Sequence, residues 1–359
     1  MLKKTLLVGF VSLLTLLSSK AQDPHFSMFY ASPLTLNPAL TGVFSGNYRF
    51  SGIFRSQWRE VMRNESVPMF RTISASFDIR TKKGFGDRDA FGIGLVVLAD
   101  KAGELEFGTT SAALSFSYAK ALDYRGTQFL TLGFQGGISQ RSITTLNART
   151  GMAYDVTTGI YNPFGELDPT LLGADENFIM YDFSAGLLWY MTPKKRLDAY
   201  LGLSAFHLNT PKESFVGGDA QVPMKYAAHG GIRFPFVGQT DLIPKFIVLM
   251  QGKHFEANIG TEIKFFFESR KPNGNAFYGG VLYRMVGGDS VFGDGPINSE
   301  SIIFTGKVDY GPISIGVAYD LNFSELIEAS FSKGGYEVAF SYIGAFKNKG
   351  PKTMYCPKF

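Results

Sequence analysis

Phe255-Glu256-Ala257-Asn258-Ile259-Gly260-Thr261-Glu262-Ile263-Lys264-Phe265-Phe266-Phe267 alternates with a period of two. Phe255, Ala257, Ile259, Ile263, Phe265 and Phe267 share one face, and Glu256, Asn258, Glu262 and Lys264 share the other. Successive side chains of a strand point to opposite sides, so this strand asks for apolar surroundings on one side and tolerates charge on the other. Three further stretches repeat the pattern. Arg71, Ile73, Ala75, Phe77 and Ile79 alternate with Thr72, Ser74, Ser76 and Asp78. Ile313, Ile315, Val317, Tyr319 and Leu321 alternate with Ser314, Gly316, Ala318 and Asp320, and Tyr336, Val338, Phe340 and Tyr342 with Glu337, Ala339 and Ser341. A Lys or Glu facing lipid at mid-depth costs about 2–4 kcal/mol, whereas one facing a polar lumen costs little. The sorting therefore reads as lipid outside and a polar lumen inside.

Composition agrees. The chain is 45% hydrophobic and 15% aromatic, with 41 glycines and only 18% charged residues, less charge than a soluble domain of 359 residues usually carries. After Leu17 no stretch approaches the roughly 18 apolar residues of a spanning helix, so the apolarity is hidden by alternation.

Fourteen segments of this kind are expected, near 47–57, 70–80, 90–100, 109–120, 128–141, 179–190, 197–207, 224–235, 241–252, 255–268, 275–286, 300–310, 312–322 and 335–346. The connections after odd segments are mostly long (58–69, 142–178, 208–223, 287–299, 323–334), and those after even ones are short. Bacterial outer-membrane barrels have an even strand count, short periplasmic turns and long outer loops. The expected fold is an all-β transmembrane antiparallel barrel of about 14 strands, residues 47–346, with an irregular N-terminal arm and periplasmic termini. One connection, 253–254, is too short for its series: either that hairpin projects beyond the membrane or the count slips there.

Met1–Ala21 reads as a secretory signal peptide. Lys3 and Lys4 precede the apolar run Thr5–Leu17, and Ser19 and Ala21 are the small residues before a Sec-type cleavage at Ala21/Gln22. Losing Lys3, Lys4 and Lys20 takes the net charge from +4 to +1, and no basic patch suggests nucleic acid. The single cysteine, Cys356, excludes an internal disulfide and a cysteine-built metal site. Residues 22–46 form the arm. Its prolines at 24, 33 and 38 argue against a long helix or a sheet-centre strand, while Phe26, Phe29 and Tyr30 need something to pack against. Such an arm is expected to lie against a preformed structure, as a plug or a periplasmic contact, with Asp23, Phe26, Phe29, Tyr30, Asn37, Pro38 and Gly42 as candidate partner-binding residues. Residues 347–359, interrupted by Pro351 and Pro357, are expected as a periplasmic tail.

The stretch QDPHFSMFYASPLTLNPALTG at 22–42, with RSQW at 55–58 and FRTISASFD at 70–78, resembles the opening of the PorP/SprF family. VAYDLN, SKGGYEVAFSYI and the terminal CPKF extend the resemblance over the mature chain. What it implies is a non-enzymatic outer-membrane component of type IX secretion and gliding motility in Bacteroidetes. Implied partners are secreted surface proteins carrying a C-terminal sorting domain, outer-membrane lipoproteins and periplasmic secretion components, besides outer-membrane lipid. Tyr161, Phe164 and Asp168 in the connection 142–178, Phe215 in 208–223 and Phe292 in 287–299 are the candidate contacts on the outer side.

Other chemistry finds little support. Glu166, Asp168, Asp175 and Glu176 fit no calcium-loop spacing, and a solvated acidic loop is favoured over a metal site. The Gly-x-Gly fragments of Gly287–Gly295 follow no βαβ unit. His25, His207, His229 and His254 fall in the arm or near strand ends, and no Gly-x-Ser-x-Gly elbow or H-E-x-x-H helix occurs. A hydrolase on the rim is the weakest reading, and no cofactor is expected. Trp58, Phe107, Tyr124, Trp189, Tyr190, Phe234, Phe236 and Tyr310 suit interfacial girdles. The competing function is a porin-like or hydrophobic-solute channel. It would show an arginine ladder across the lumen, whereas the inner-face charges read as sparse and of both signs.

Overall fold

The computed structural model describes residues 23–346 except 60–68, 82–84, 87, 104–105, 145–153, 156–159, 162–176, 195, 216–218, 268–274, 288–296 and 325–326. In chain order the strands are β1 (Tyr48–Gln57), β2 (Phe70–Thr81), β3 (Ala90–Ala102), β4 (Phe107–Ala121), β5 (Gln128–Ser142), β6 (Tyr154–Asp155), β7 (Ile160–Tyr161) and β8 (Asn177–Lys194). There follow β9 (Leu197–Phe206), β10 (Lys225–Pro235), β11 (Thr240–Gln251), β12 (His254–Phe266), β13 (Ala276–Gly287), β14 (Ile297–Tyr310), β15 (Ile313–Asn322) and β16 (Lys333–Gly344). Strands β6 and β7 pair only with each other; the other fourteen form one closed barrel.

Every neighbouring pair is antiparallel, and β1 closes on β16 in register from Tyr48↔Gly344 to Gln57↔Gly335. Closure leaves no edge, as lipid requires, because an unpaired backbone group in hydrocarbon has nothing to bond. The expected strand count stands. The short connection is a two-residue hairpin, Gly252-Lys253 between β11 and β12, and its Gly252 takes φ +59°, a conformation open to a residue without Cβ.

The alternation sorts as read. Ile259, Ile263, Phe265 and Phe267 are exposed on the outer face of the barrel, while Glu256, Asn258, Glu262 and Lys264 are buried on the inner. Phe255 and Ala257, of the outward parity but at the long-connection end, are buried too. Tyr190 corrects the girdle assignment. It adjoins Trp189, period two sends one of the two inward, and Tyr190 is fully buried, stacked on Phe129 at 5.1 Å. Tyr124, Phe236 and Tyr310 are exposed at the short-turn end.

The apolar core of the molecule lies inside the barrel. Phe26, Met28, Phe29, Tyr30, Leu36, Ala39, Leu40 and Val43 of the arm cluster there with Phe129, Leu188, Tyr190, Tyr200, Ile247, Leu282 and Ile303 of the wall.

Candidate functional site

The arm fills the lumen along its height. Three one-turn segments, Phe29–Ala31, Pro33–Leu36 and Pro38–Leu40, give it a compact zigzag, and Pro33 and Pro38 each sit at the first position of a turn, where a missing N–H is harmless. A buried irregular backbone must find partners for its polar groups, and here the barrel wall supplies many of them.

At the long-connection end the Asp23 N–H donates to Gln251 Oε1 at 2.9 Å. The Asp23 carboxylate meets His207 Nε2 at 2.5 Å, Lys225 Nζ at 3.1 Å and Arg141 at 3.8 Å. Burial pushes this carboxyl up, but Lys225, His207 and Arg141 outweigh it and hold Asp23 well below the usual carboxylate range. His207 is set between two carboxylates, its Nδ1 lying 3.0 Å from Asp182. Burial works against its charge, yet Asp182 and Asp23 raise it to about 9, so both ring nitrogens donate near neutrality. This location corrects one expectation. The start of the arm is expected at the short-turn end; Asp23 lies at the opposite end, because the arm runs the length of the lumen before β1 begins.

Deeper in, Ser27 sits in an ionic knot. Its N–H donates to Glu337 Oε1 at 2.6 Å, its hydroxyl to Asp320 at 2.8 Å, and the Met28 N–H to Glu337 Oε2 at 2.7 Å. Arg55 bridges Glu337 at 2.6 Å and Asp320 at 3.1 Å, and Arg284 reaches Asp320 at 2.9 Å. Both guanidinium groups also donate to Ser27 Oγ. Beside it, His25 meets Glu256 at 2.8 Å. Tyr30 OH donates to Glu262 at 2.6 Å, and Lys245, paired to the same carboxylate at 2.7 Å, lies 3.5 Å over the Tyr30 ring. The inner-face charges are thus dense and paired, which corrects the reading of them as sparse. Arg55, Arg284, Asp320 and Glu337 stand on β1, β13, β15 and β16 and come together only when the barrel closes.

The second half of the arm is seated differently. Asn37 Oδ1 accepts the Ala39 N–H at 2.8 Å, capping its turn, while Nδ2 lies 3.1–3.2 Å from Leu187 O, Leu203 O and His229 Nε2. His229 is thus a fully buried partner of the arm in mid-strand, not at a strand end as expected. The backbone here lies so close to the wall that a Cβ on Gly186 would come 1.9 Å from Asn37 Oδ1, and one on Gly133 2.2 Å from Ala39 N. Nothing larger than glycine fits. Ser117 donates to Thr41 O at 2.6 Å, the Gly42 N–H donates to Asp78 at 2.7 Å, and Arg49 grips the same carboxylate at 2.8–2.9 Å and Leu40 O at 3.1 Å. Arg49 also covers the Phe44 ring at 4.8 Å.

Asp23, Phe26, Phe29, Tyr30, Asn37, Pro38 and Gly42 are therefore brought together, all turned toward the barrel's own wall. Phe215 lies half-buried on the long-connection rim, edge-on to Phe178 at 4.9 Å and Phe107 at 6.0 Å. Phe164, Asp168, Phe292 and the carboxylates Glu166, Asp175 and Glu176 lie outside the described residues, as does the Tyr161 side chain. The wall residues that hold the arm, Arg49, Asp78, Arg141, Gly186, His229 and Arg284 among them, were missed. Their only signal in sequence is inward parity.

A vestibule of about 800 Å³ opens above Asp23 and His25, lined by Trp58, Phe70, Asp100 and Glu300 among others. A narrower cleft of about 200 Å³ lies at the short-turn end.

No protein of curated function matches this chain. Among solved structures, the toluene transporter TodX of Pseudomonas putida is 9% identical over 91% of this chain and 96% of its own, with a TM-score of 0.45. The Ralstonia pickettii toluene transporter TbuX is 12% identical over 88% and 94%, at 0.44, and the monoaromatic hydrocarbon channel CymD 13% over 90% and 95%, at 0.47. Residues 18–342 match the family model of the type IX secretion system membrane protein PorP/SprF. An integral outer-membrane β-barrel, the chain belongs to the PorP/SprF family of type IX secretion system membrane proteins.

Proposed function

We propose that this protein is a non-enzymatic component of type IX secretion that supports export or cell-surface attachment of partner proteins bearing a C-terminal sorting domain, gliding adhesins among them. The observation that carries the reading is the arm. It occupies the lumen from Asp23 at one end to Phe44 at the other, bonded to the wall throughout, which suits a scaffold better than an open pore. On this reading the long connections, with Tyr161, Phe164, Asp168, Phe215 and Phe292, meet the cargo, and the short-turn end faces the periplasm. Outer-membrane lipoproteins and periplasmic secretion components are the further partners. The arm residues act as a plug that fixes the barrel's shape.

The test is a gentle detergent pull-down of the tagged protein from its native outer membrane, with copurifying proteins identified by mass. Large surface proteins sharing a C-terminal domain, together with lipoproteins and secretion components, are the expected result. A barrel that copurifies with nothing and conducts ions in a planar bilayer would replace this reading with the channel. Deleting residues 23–42 is expected to impair assembly or partner binding.

A further inference from the structure

One seam of the barrel is not held by the chain itself. Neighbouring strands elsewhere are consecutive in the chain, with only the β6–β7 pair interposed between β5 and β8, whereas β1 and β16 are the first and last strands of the barrel. Arg55 and Glu337 are directly opposite one another across this seam and stand 282 positions apart in sequence. A hairpin keeps its second strand beside the first. A pair this distant has the full loop-closure entropy against it and is held by its ladder and its side chains alone.

The first half of the arm lies over that seam on the lumen side. The N–H groups of Ser27 and Met28 take both oxygens of Glu337 on β16, and Ser27 Oγ joins Arg55 of β1 to Asp320 of β15. Glu337 is 1% exposed, and among the described residues its one other partner is Arg55. Withdrawing the arm strips this buried carboxylate of two donors at once, which costs more than two ordinary hydrogen bonds contribute. The arm also runs directly into β1, so a single stretch of chain grips β16 twice, by the β1 ladder and by the arm's N–H groups. The second half of the arm spans no such gap. Asn37 bonds Leu187 O and Leu203 O on β8 and β9, strands that residues 195–196 already join.

We propose that the first half of the arm is the lock of the β1–β16 seam. With Ser27 and Met28 seated the barrel is closed; when they leave, this seam opens toward the surrounding lipid ahead of any other. A plug that merely fills the lumen would steady every seam alike, whereas the lock acts on one.

That difference is what the test reads. Backbone hydrogen exchange is followed by mass spectrometry on the full-length protein in lipid nanodiscs, where a local opening shows as faster exchange in the strands that part. Ser27→Pro deletes the N–H and the hydroxyl together. Exchange along Phe50–Gln57 of β1 and Gly335–Phe340 of β16 should rise at least about tenfold, while Ser111–Ser117 of β4 and Gln135–Arg141 of β5 keep the parent's rates. Asn37→Leu loosens the second half of the arm and should leave the β1–β16 rates unchanged. A rise spread over all strands, no rise at the seam, or an equal rise there in Asn37→Leu would overturn the proposal. Each barrel is confirmed folded by its heat-modifiable gel mobility. Where Ser27→Pro does not fold, Ser27→Ala, which deletes only the hydroxyl, gives the second reading: a rise of about threefold confined to the same two strands. Rates in Ser27→Ala that match the parent, or that change equally in β4 and β5, would overturn it too.

Discussion

Along β3–β5, β8 and β9 the inward positions near mid-height are mostly Gly, Ser, Thr and Ala: Gly92 and Gly94, Ser115 and Ser117, Thr131 and Gly133, Ser184 and Gly186, Gly202 and Ser204. Along β10–β13 Ala227, Gly231, Gly260 and Gly280 are interleaved with large or charged side chains: His229, Lys245, Ile247, Asn258, Glu262, Leu282 and Arg284. One wall makes room and the other fills it. Asn37–Thr41 lie on the first by close backbone approach and neutral hydrogen bonds, before Gly42 meets the Asp78 carboxylate of β2. Ser27 and Tyr30 meet the second, with its neighbours β1, β15 and β16, through paired charges. The same arm is thus held by shape on one side and by electrostatics on the other, and the two should fail differently.

The sharpest break falls on the charged side. Arg284→Ala leaves Asp320 and Glu256 buried with one cation fewer, and removing one member of a buried ionic cluster typically costs about 3–5 kcal/mol. Thermal unfolding in detergent, read from heat-modifiable mobility, should move down sharply. A barrel that melts as before would mean the knot contributes nothing. The small-residue wall should respond more locally. Gly186→Ala puts a methyl where Asn37 Oδ1 lies, an overpacking of about 1–3 kcal/mol, relieved when the arm lifts away. Protease should then cut within 23–44 while the barrel stays closed; a barrel that melts as Arg284→Ala does would erase the distinction between the walls.

A smaller effect follows pH. His207 is raised from 6.5 to about 9, so its contribution is complete below about 6.5 and fades as pH rises through 9. Asp23 is lowered, so its share is present above 3.8 and is lost as pH falls through the depressed value. The difference in melting temperature between the parent and His207→Gln should be largest near pH 6 and vanish by about pH 10. A difference that does not change with pH would mean that His207 acts by packing alone. Smallest of all is Lys101→Ala. Its partner Glu106 lies 3.0 Å away, but both side chains are exposed, and no change in stability should be measurable. A clear loss there would show that rim charges matter as much as those of the lumen.

The extent to which each region was legible follows from the same contrast. Glu256, Glu262 and Glu337 could be assigned to the inner face because period two and the lipid outside leave charge no other place. The composition of the arm, three prolines among aromatics, said that it packs against something. It did not say that Asp23 stands at the end opposite the start of β1, since nothing local orients a chain that fills a cavity. Tyr190 and His229 were misplaced for a related reason: aromatics and histidines suit both an interface and a packed lumen, and only parity within a closed sheet separates the two.

By itself the sequence determined that fourteen amphipathic strands close into a barrel, because alternation is a local property that each strand carries alone. Only the tertiary structure decided what fills the lumen and how. Ser27 meets Glu337 across 310 positions of sequence, and Asn37 meets His229 across 192. Periodicity tells which face a charge occupies; which charge it meets is set by strand order, register and the curvature that brings distant strands to one side of a shared interior.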